Sequence, residues 1–304
     1  MAKPRFSRDL LHPRFWPTWI MFALWFLVVQ LPYPLLLFLA RGLALLLRWA
    51  GGSRRHIVSV NLRLCFPQLS DSEREKLLRD NYFSMAMALF ETGMAWFWPH
   101  WRLRRIYTVR GLEHLPEPPP QGVIMMALHF TTLDIGAAFM NIERKMFGMY
   151  RPHKNPVYDY VQRRGRERHR PDIEAIPRKD VRAMLRALRD KCLVWYAPDQ
   201  DYGRKQSVFA PFFDVSAASV TATARFAQMG KAKVVPFVQR RLPGIAGYEV
   251  TIYPPWENYP TGDDVVDATR VNRFVEERIL EQPEQYLWAH RRFKTRPEGE
   301  PGVY

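Results

Sequence analysis

The chain has 304 residues, 47% of them hydrophobic, and carries 45 Lys and Arg against 30 Asp and Glu. The hydrophobic fraction excludes a disordered protein, and the length accommodates one sizeable core domain with an appendage. The formal net charge of +15 favours anionic partners, which are nucleic acid, anionic lipid or an acidic protein. Two widely separated cysteines argue against a disulfide framework and a zinc site, and they predict a reducing compartment for the soluble part of the chain.

The first predicted element is an apolar segment, residues 15–40, that contains no charged side chain. Its length predicts a membrane span or a deep interfacial anchor, and a buried core helix of a soluble protein is the alternative. Gln30 and two prolines interrupt the run, so its second half is either a kinked continuation or a separate helix that lies on the membrane. We predict an N-terminal membrane anchor over residues 1–50 and one domain over residues 51–304.

Residues 72–98 are predicted to form a long helix. Residues 70–73, with the sequence Ser-Asp-Ser-Glu, supply a helix-start signal, and apolar side chains then recur at helical spacing. The later turns are apolar on most sides, which indicates burial against the domain or against the membrane surface. For the Met and Trp side chains of these turns, ordinary core packing is the favoured interpretation.

From residue 122 onward, predicted strands and helices alternate. Strands are predicted at residues 122–128, 146–150, 192–197, 233–239 and 248–253. Helices are predicted at residues 134–141, 179–190 and 217–230. The alternation predicts an α/β fold with a largely parallel sheet flanked by helices. In such folds, sites form at the carboxyl ends of the strands.

The most informative residues for chemistry are His129 and Asp134. On one continuous helix, residues with this spacing point about 140° apart. A strand that ends at His129 and a helix that begins near Asp134 would bring the two side chains together. Asp134 would then accept a hydrogen bond from one ring nitrogen while the other nitrogen takes a proton from a hydroxyl. No Ser or Cys lies in a G-x-S-x-G context, so a hydroxyl of the substrate is the expected nucleophile of an acyl transfer, and hydrolysis is the alternative.

Four blocks carry a resemblance to a known family. They are His129-x4-Asp134, Met149-Tyr150-Arg151-Pro152, residues 195–203 and residues 235–238. In order and spacing the chain resembles the glycerolipid acyltransferase superfamily, and more narrowly the late acyltransferases of lipid A biosynthesis, of the lauroyltransferase type. The likeness extends from the apolar N-terminus to residues 283–297. Many members of the lipid A branch carry Glu where this chain has Asp134, which changes reach but not charge.

The resemblance implies transfer of a fatty acyl group, lauroyl or similar, from acyl carrier protein to a hydroxyl of a hydroxyacyl chain on the Kdo-bearing lipid A precursor. Acyl carrier protein thioester is then a co-substrate, and no cofactor or metal is implied. His129 would be the general base and Asp134 its orienting partner. Tyr150, Arg151 and Asp199 would bind substrate, with Arg151 gripping an anionic group of the acceptor. Asp199 would position the acceptor or, as we favour, hold the loop around Arg151.

The implied location is the bacterial inner membrane, with residues 51–304 as a catalytic domain on its cytoplasmic face. Two basic runs, residues 163–170 and 291–296, would face lipid headgroups, phosphates of the lipid A precursor or the acidic carrier protein. Nucleic acid is disfavoured because these runs lack interleaved aromatic residues and no nucleic-acid-binding module occurs. The alternatives are an acyltransferase on another membrane lipid, such as a glycerophospholipid or a mannosylated phosphoinositide, a hydrolase, and a non-catalytic membrane-surface protein that holds anionic lipid.

Overall fold

The computed structural model describes residues 6–304. Two short 3₁₀ helices, Arg8–Leu11 and Pro13–Phe15, lead into helices α1 (Trp16–Val29) and α2 (Tyr33–Ala50). Pro32 precedes α2 and a second proline lies in its first turn, where the missing N–H of proline removes no helical hydrogen bond. The second half of the apolar segment is therefore a separate helix and not a kinked continuation of the first.

Three more helices precede the first strand, and strands and helices are mixed from there on. The helices are α3 (Gly52–Cys65), α4 (Asp71–Phe97), α5 (His100–Leu103), α6 (Leu133–Glu143), α7 (Pro156–Glu167), α8 (Val181–Arg189), α9 (Ala222–Gly230) and α10 (Asp264–Glu281). The strands are β1 (Tyr107–Arg110), β2 (Val123–Met126), β3 (Met146–Tyr150), β4 (Ile176–Pro177), β5 (Leu193–Tyr196), β6 (Ser207–Phe212), β7 (Val215–Val220), β8 (Lys233–Arg241) and β9 (Tyr248–Ile252).

Seven of these strands form the main sheet, in the order β1-β9-β8-β2-β5-β3-β4. Every neighbouring pair is parallel except β8 with β9, while β6 and β7 form a separate antiparallel hairpin. β2 lies in the middle and all four of its residues are buried, as expected for a strand covered on both faces. The predicted α/β fold with a largely parallel sheet is confirmed.

The two faces of the sheet carry different helices. α6 crosses from β2 past β5 to β3, whereas α8 crosses in the opposite direction, from β4 past β3 to β5. Because such crossovers are right-handed, opposite directions place α6 and α8 on opposite faces. α4 packs on α6, and α1 and α2 pack on α4, so these helices share the α6 side. α9 packs beside α8 on the other side.

The predicted helix over residues 72–98 is confirmed as α4. Ser70 and Glu73 form a reciprocal capping box at its start, with the Ser70 backbone N–H donating to the Glu73 carboxylate at 2.7 Å. In its later turns Met87, Met94 and Trp96 are buried in the hydrophobic core. The core interpretation of these side chains is therefore correct.

The predicted helix over residues 217–230 is wrong in its first part. Val215–Val220 is a strand that pairs with Ser207–Phe212, and the helix begins at Ala222. Ala217 and Ala218 have high helical propensity but are buried in the hairpin, which packs on α10, so tertiary pairing overrides that propensity. The other elements that were not predicted are helices α3, α5, α7 and α10 and strands β1, β4, β6 and β7.

The C-terminal segment is fastened across the carboxyl end of β2. Phe130 and Tyr286 form an isolated antiparallel bridge, and the Leu287 backbone N–H donates to the carbonyl of His129 at 3.0 Å. Asn81, fully buried on α4, donates from its amide to the carbonyl of Tyr286 at 2.8 Å. Helix α4 and the C-terminal segment around Tyr286 thus fix the backbone around His129.

Candidate active site

His129 lies at the carboxyl end of β2, near the middle of the sheet. β2 pairs in parallel with β5, and Met126 is opposite Tyr196 in their register. Three residues beyond these positions come His129 and Asp199. The register of two neighbouring strands therefore brings the histidine and this aspartate together, at the edge of the sheet where α/β proteins place their sites.

Asp199 holds His129 through two hydrogen bonds. Nδ1 of the imidazole lies 2.6 Å from one carboxylate oxygen, and the backbone N–H of His129 donates to the other oxygen at 2.8 Å. Since a carboxylate only accepts, Nδ1 carries the proton and Nε2 is left as the basic nitrogen. The His129 side chain is 18% exposed, whereas that of Asp199 is 1% exposed. The arrangement matches the base and orienter of a catalytic dyad.

The environment keeps Asp199 ionised. Burial alone would raise the pKa of Asp199, but the electrostatic influence of the adjacent His129 and the hydrogen bonds that it donates outweigh burial, and the pKa lies below its ordinary value. The hydroxyl of Tyr286 also donates to the Asp199 backbone carbonyl at 3.3 Å. A fixed negative charge thus stands behind the imidazole, where it stabilises the imidazolium that forms when Nε2 takes a proton.

The hydrogen bond predicted between Asp134 and His129 is not present. Asp134 lies in the first turn of α6, and its carboxylate faces the neighbouring helices instead. Nε and Nη2 of Arg166, on α7, lie 3.0 and 2.9 Å from one carboxylate oxygen, and the Thr92 hydroxyl on α4 donates to the other at 3.4 Å. Asp134 is therefore the partner of Arg166, and Asp199 takes the place on the imidazole that sequence spacing had assigned to Asp134.

Of the three predicted substrate-binding residues, two lie in the wall of the cleft that contains His129. Tyr150 ends β3 and is buried, and Arg151 follows it and is exposed. Asp199 does not line the cleft, because both of its carboxylate oxygens bond to His129 behind the imidazole. The structure therefore shows Asp199 neither in contact with the cleft nor holding the loop around Arg151.

The cleft has a volume of about 980 Å³. Its inner wall is apolar and includes Leu133, Met149 and Trp195. Its rim carries exposed cations from three segments, and these are Arg151, Arg178, Lys179 and Arg225. An apolar interior with a cationic mouth suits an amphipathic ligand with an anionic head.

A smaller apolar cavity, of about 70 Å³, adjoins the cleft. The two share Leu133, Met149, Arg166 and Trp195 in their walls. Further in, most of the wall of the small cavity is apolar, formed by Trp96, Ala137, Ala138, Met146, Gly148, Ile173 and Ala175, and Asp134, Asn141 and Glu167 also line it. This lining can hold a hydrocarbon chain that enters past the imidazole.

Arg166 is the site residue that sequence reasoning missed, since it lies within the basic run that was expected to be an exposed patch. Most of that run is engaged inside the protein. Arg163 pairs with Glu167 at 3.6 Å, Arg168 donates to the Trp96 carbonyl at 2.6 Å and Arg170 to the Asn141 carbonyl at 2.9 Å. The second run is also partly internal, because Arg292 is 2% exposed. The available signal was the apolar face of α7, which places the run on a packed helix.

Titratable clusters elsewhere do not suggest a metal site. Within residues 6–304, no group of three or more His, Cys, Asp or Glu side chains is arranged to hold a metal ion.

Comparisons with known proteins agree with the resemblance of the four blocks. Residues 3–295 match the family described as bacterial lipid A biosynthesis acyltransferase. The lipid A biosynthesis lauroyltransferase of Escherichia coli (strain K12) is 45% identical over 304 residues, which cover 99% of each chain. The lipid A biosynthesis palmitoleoyltransferase of the same organism is 44% identical over 303 residues, covering 99% of this chain and 98% of that relative. The lipid A biosynthesis myristoyltransferase is 30% identical over 309 residues, covering 99% and 94%. The likeness to the lauroyltransferase type is confirmed.

Proposed function

Because the chain belongs to the bacterial lipid A biosynthesis acyltransferases, we propose that it transfers a fatty acyl group, lauroyl or similar, from the thioester of acyl carrier protein to a hydroxyl of a hydroxyacyl chain on the Kdo-bearing lipid A precursor. The observation that carries the proposal is the His129–Asp199 dyad. Asp199 bonds to Nδ1 of His129 and leaves Nε2 free, and His129 lines a cleft with an apolar interior and a cationic rim.

In the proposed reaction, Nε2 of His129 removes the proton of the acceptor hydroxyl as the hydroxyl oxygen attacks the thioester carbonyl carbon. Asp199 stabilises the resulting imidazolium. The C–O bond forms, the C–S bond breaks, and the imidazolium returns the proton to the departing thiolate. These steps use only the two substrates and side chains of the protein.

The attack builds negative charge on the carbonyl oxygen, and the site offers positive charge to meet it. Leu133, the first residue of α6, lines the cleft, so the positive end of this helix dipole lies at the reacting position. The Arg166 guanidinium lines the same cleft and is held there by Asp134. We propose that Asp134 contributes to catalysis by fixing Arg166.

The two substrates are proposed to occupy different parts of the cleft. Arg151 and Arg178 on the rim have the charge and geometry to bind phosphate of the acceptor, and Tyr150 lies in the wall beside them. The adjoining apolar cavity would take the end of the donor acyl chain. A methylene more or less in such a cavity changes binding by about 1–3 kcal/mol, enough to favour one chain length over its neighbours.

Membrane attachment is proposed to depend on α1 and α2. Each packs on α4 with one face, and Val29, Leu36 and Ala40 are fully buried there. The opposite faces expose a row of large apolar side chains, which are Trp16, Ile20, Met21, Leu24, Phe26, Leu27, Leu35, Phe38, Leu45, Leu46 and Trp49. By length and composition α2 is a candidate membrane span. We propose that this surface anchors the enzyme in the bacterial inner membrane, with the catalytic cleft on the cytoplasmic side where acyl carrier protein is available.

Transfer assays with purified protein test the proposal. Radiolabelled lauroyl carrier protein is supplied with the Kdo-bearing lipid A precursor, a lysophospholipid or a mannosylated phosphoinositide, and products are separated by chromatography. We expect label in the lipid A precursor only, and no transfer by a His129→Ala variant. Label in another lipid would assign a different acceptor, and free fatty acid without acylated lipid would assign a hydrolase. Unchanged transfer by His129→Ala would refute the catalytic role of the dyad.

A further inference from the structure

The outer face of α8 carries a continuous row of cations. Val181–Arg189 is strongly amphipathic, with Met184, Leu185 and Leu188 buried against the sheet and α9. On the outside, at positions four and three residues apart, lie Arg182, Arg186 and Arg189, and Lys179 comes just before the helix cap Asp180; all four cations are exposed. Residues with this spacing share one helical face. We refer to these four residues as the α8 stripe.

The α8 stripe has no anionic partner within the protein. Among residues 6–304, none of its four side chains forms an ion pair, and the only hydrogen bond from the stripe runs from Arg189 to the Met229 carbonyl at 3.3 Å. Two carboxylates flank the stripe in sequence: Asp180 is the helix cap and accepts from the Ala183 backbone N–H at 3.0 Å, and the exposed Asp190 follows Arg189 without forming an ion pair with it. The arginines of residues 163–170, in contrast, are mostly engaged internally. The stripe is therefore free to meet an external anion.

The α8 stripe begins at the mouth of the active-site cleft. Lys179 lines that cleft, as do the neighbouring apolar side chains of Val181 and Met229, which are 36% and 52% exposed. From Lys179 the stripe continues away along α8, where its three arginines span about 10 Å at a rise of about 1.5 Å per residue. A partner bound along it would have one end at the opening that leads to His129.

The position of α8 argues against a membrane as the occupant. α8 lies on one face of the sheet, and α6, α4 and the apolar surfaces of α1 and α2 lie on the other. A membrane that covers the exposed side chains of α1 and α2 would therefore leave the α8 stripe facing water. A soluble acidic protein can reach it there.

We propose that the α8 stripe, with Val181 and Met229, is the docking surface for the acidic carrier protein that delivers the acyl thioester; this rests on the proposed function. The cations complement an acidic surface and accelerate encounter, and the two apolar side chains supply short-range contact. Docking there places the carrier at the cleft mouth and leaves the opposite side of the enzyme on the membrane that holds the acceptor.

The test uses the full-length protein with Arg182→Glu and Arg186→Glu together. The matched control is Arg63→Glu with Arg79→Glu, an equal change of charge at exposed positions on α3 and α4. For each protein, kcat/KM is measured with lauroyl carrier protein and with lauroyl pantetheine, a neutral donor that lacks the carrier. We expect the α8 variant to lose about tenfold or more in kcat/KM with the carrier-bound donor and nothing with the pantetheine donor. Raising salt should lower kcat/KM of the wild type with the carrier far more than that of the variant.

The outcomes separate the proposals. Carrier kinetics equal to wild type in the α8 variant, or an equal loss with both donors, would overturn the docking surface. Weaker binding of the α8 variant to vesicles of phosphatidylglycerol, with normal carrier kinetics, would assign the stripe to lipid and also overturn it. If wild-type enzyme takes acyl groups from the pantetheine donor but never from the carrier, the proposed donor itself is wrong, a failure visible without any variant.

Discussion

The sharpest consequence of the structure concerns Asp199, and the change that tests it is Asp199→Asn. Asp199 accepts two hydrogen bonds from His129, one from Nδ1–H at 2.6 Å and one from the backbone N–H at 2.8 Å. Asparagine offers one acceptor and one donor at the same positions. If its oxygen accepts from the backbone, its NH₂ faces Nδ1, and the imidazole then carries its proton on Nε2, which can no longer act as a base. If it is turned over, the backbone N–H is left facing a donor in a buried site.

Either arrangement also removes the charge that stabilises the imidazolium. The same change in a serine protease triad lowers kcat by roughly 10⁴ because of the wrong tautomer. We expect a loss of about 10³–10⁴ in kcat here, equivalent to about 4–5.5 kcal/mol of transition-state stabilisation. The assay is single-turnover acyl transfer from lauroyl carrier protein, with folding checked by thermal unfolding.

Asp267→Asn is the matched control, because Asp267 is 2% exposed, accepts from the Thr261 backbone and hydroxyl, and is not among the residues that line the cleft. It should leave kcat within about twofold of wild type, since it touches no reacting group. A folded Asp199→Asn enzyme that keeps more than about a tenth of wild-type kcat would refute the assignment of Asp199 as the orienting group.

Three further predictions address other parts of the structure. Gly148→Leu should lower kcat/KM for a lauroyl donor by about 10–100-fold while sparing a shorter donor. The reason is that a Cβ at Gly148 meets nothing within 4 Å, so the added side chain enters the apolar cavity. Equal losses for all donors would contradict the cavity's role. Asp134→Asn and Arg166→Gln should each reduce kcat, and the double variant should lose little beyond the larger single effect, which a double-mutant cycle measures; additive losses would mean independent roles. Burial is the chief reason that the pKa of His290 is lowered to about 4. Between about pH 6.5 and pH 4 this imidazole is therefore protonated in the unfolded chain but neutral in the folded protein, so the free energy of unfolding falls as pH falls through that window. Urea unfolding at pH 7 and pH 5 should show a drop about 2 kcal/mol smaller for His290→Gln than for wild type, and equal drops would contradict a neutral buried His290.

Local sequence patterns predicted the elements that local forces determine. The capping box before α4 and the buried run of β2 depend on residues close together in the chain, and both occur as predicted. The hairpin of β6 and β7 did not follow from its sequence, because its alanine-rich second strand depends on pairing and on α10 behind it. Patterns of charge were also ambiguous, since an arginine run looks alike whether it faces solvent or packs between helices.

The site shows the same division between local and distant determinants. His129 was identified from its strand-end context, which is local. Its partner was not, because the pairing of β2 with β5 follows from the order of strands in the sheet, and no spacing between residues 129 and 199 reveals it. Proximity in sequence favoured Asp134, but the first turn of α6 directs that side chain toward α4 and α7.

The two carboxylates should therefore respond differently to lengthening by one methylene. Asp134→Glu adds length between a carboxylate that is partly exposed and the long, adjustable side chain of Arg166. We expect Asp134→Glu to keep kcat within about fivefold of wild type.

Asp199→Glu is expected to behave otherwise, because the carboxylate sits between two donors at fixed distances and its side chain is 1% exposed. An extra methylene there must displace either the imidazole or the backbone of residue 129, and a displacement of about 1 Å at a reacting group costs roughly 100-fold in rate. Transfer rates of the two variants, measured side by side with lauroyl carrier protein, distinguish the roles. If Asp134→Glu is inactive while Asp199→Glu is not, the imidazole is oriented by Asp134 during the reaction and the observed pairing is not the working one.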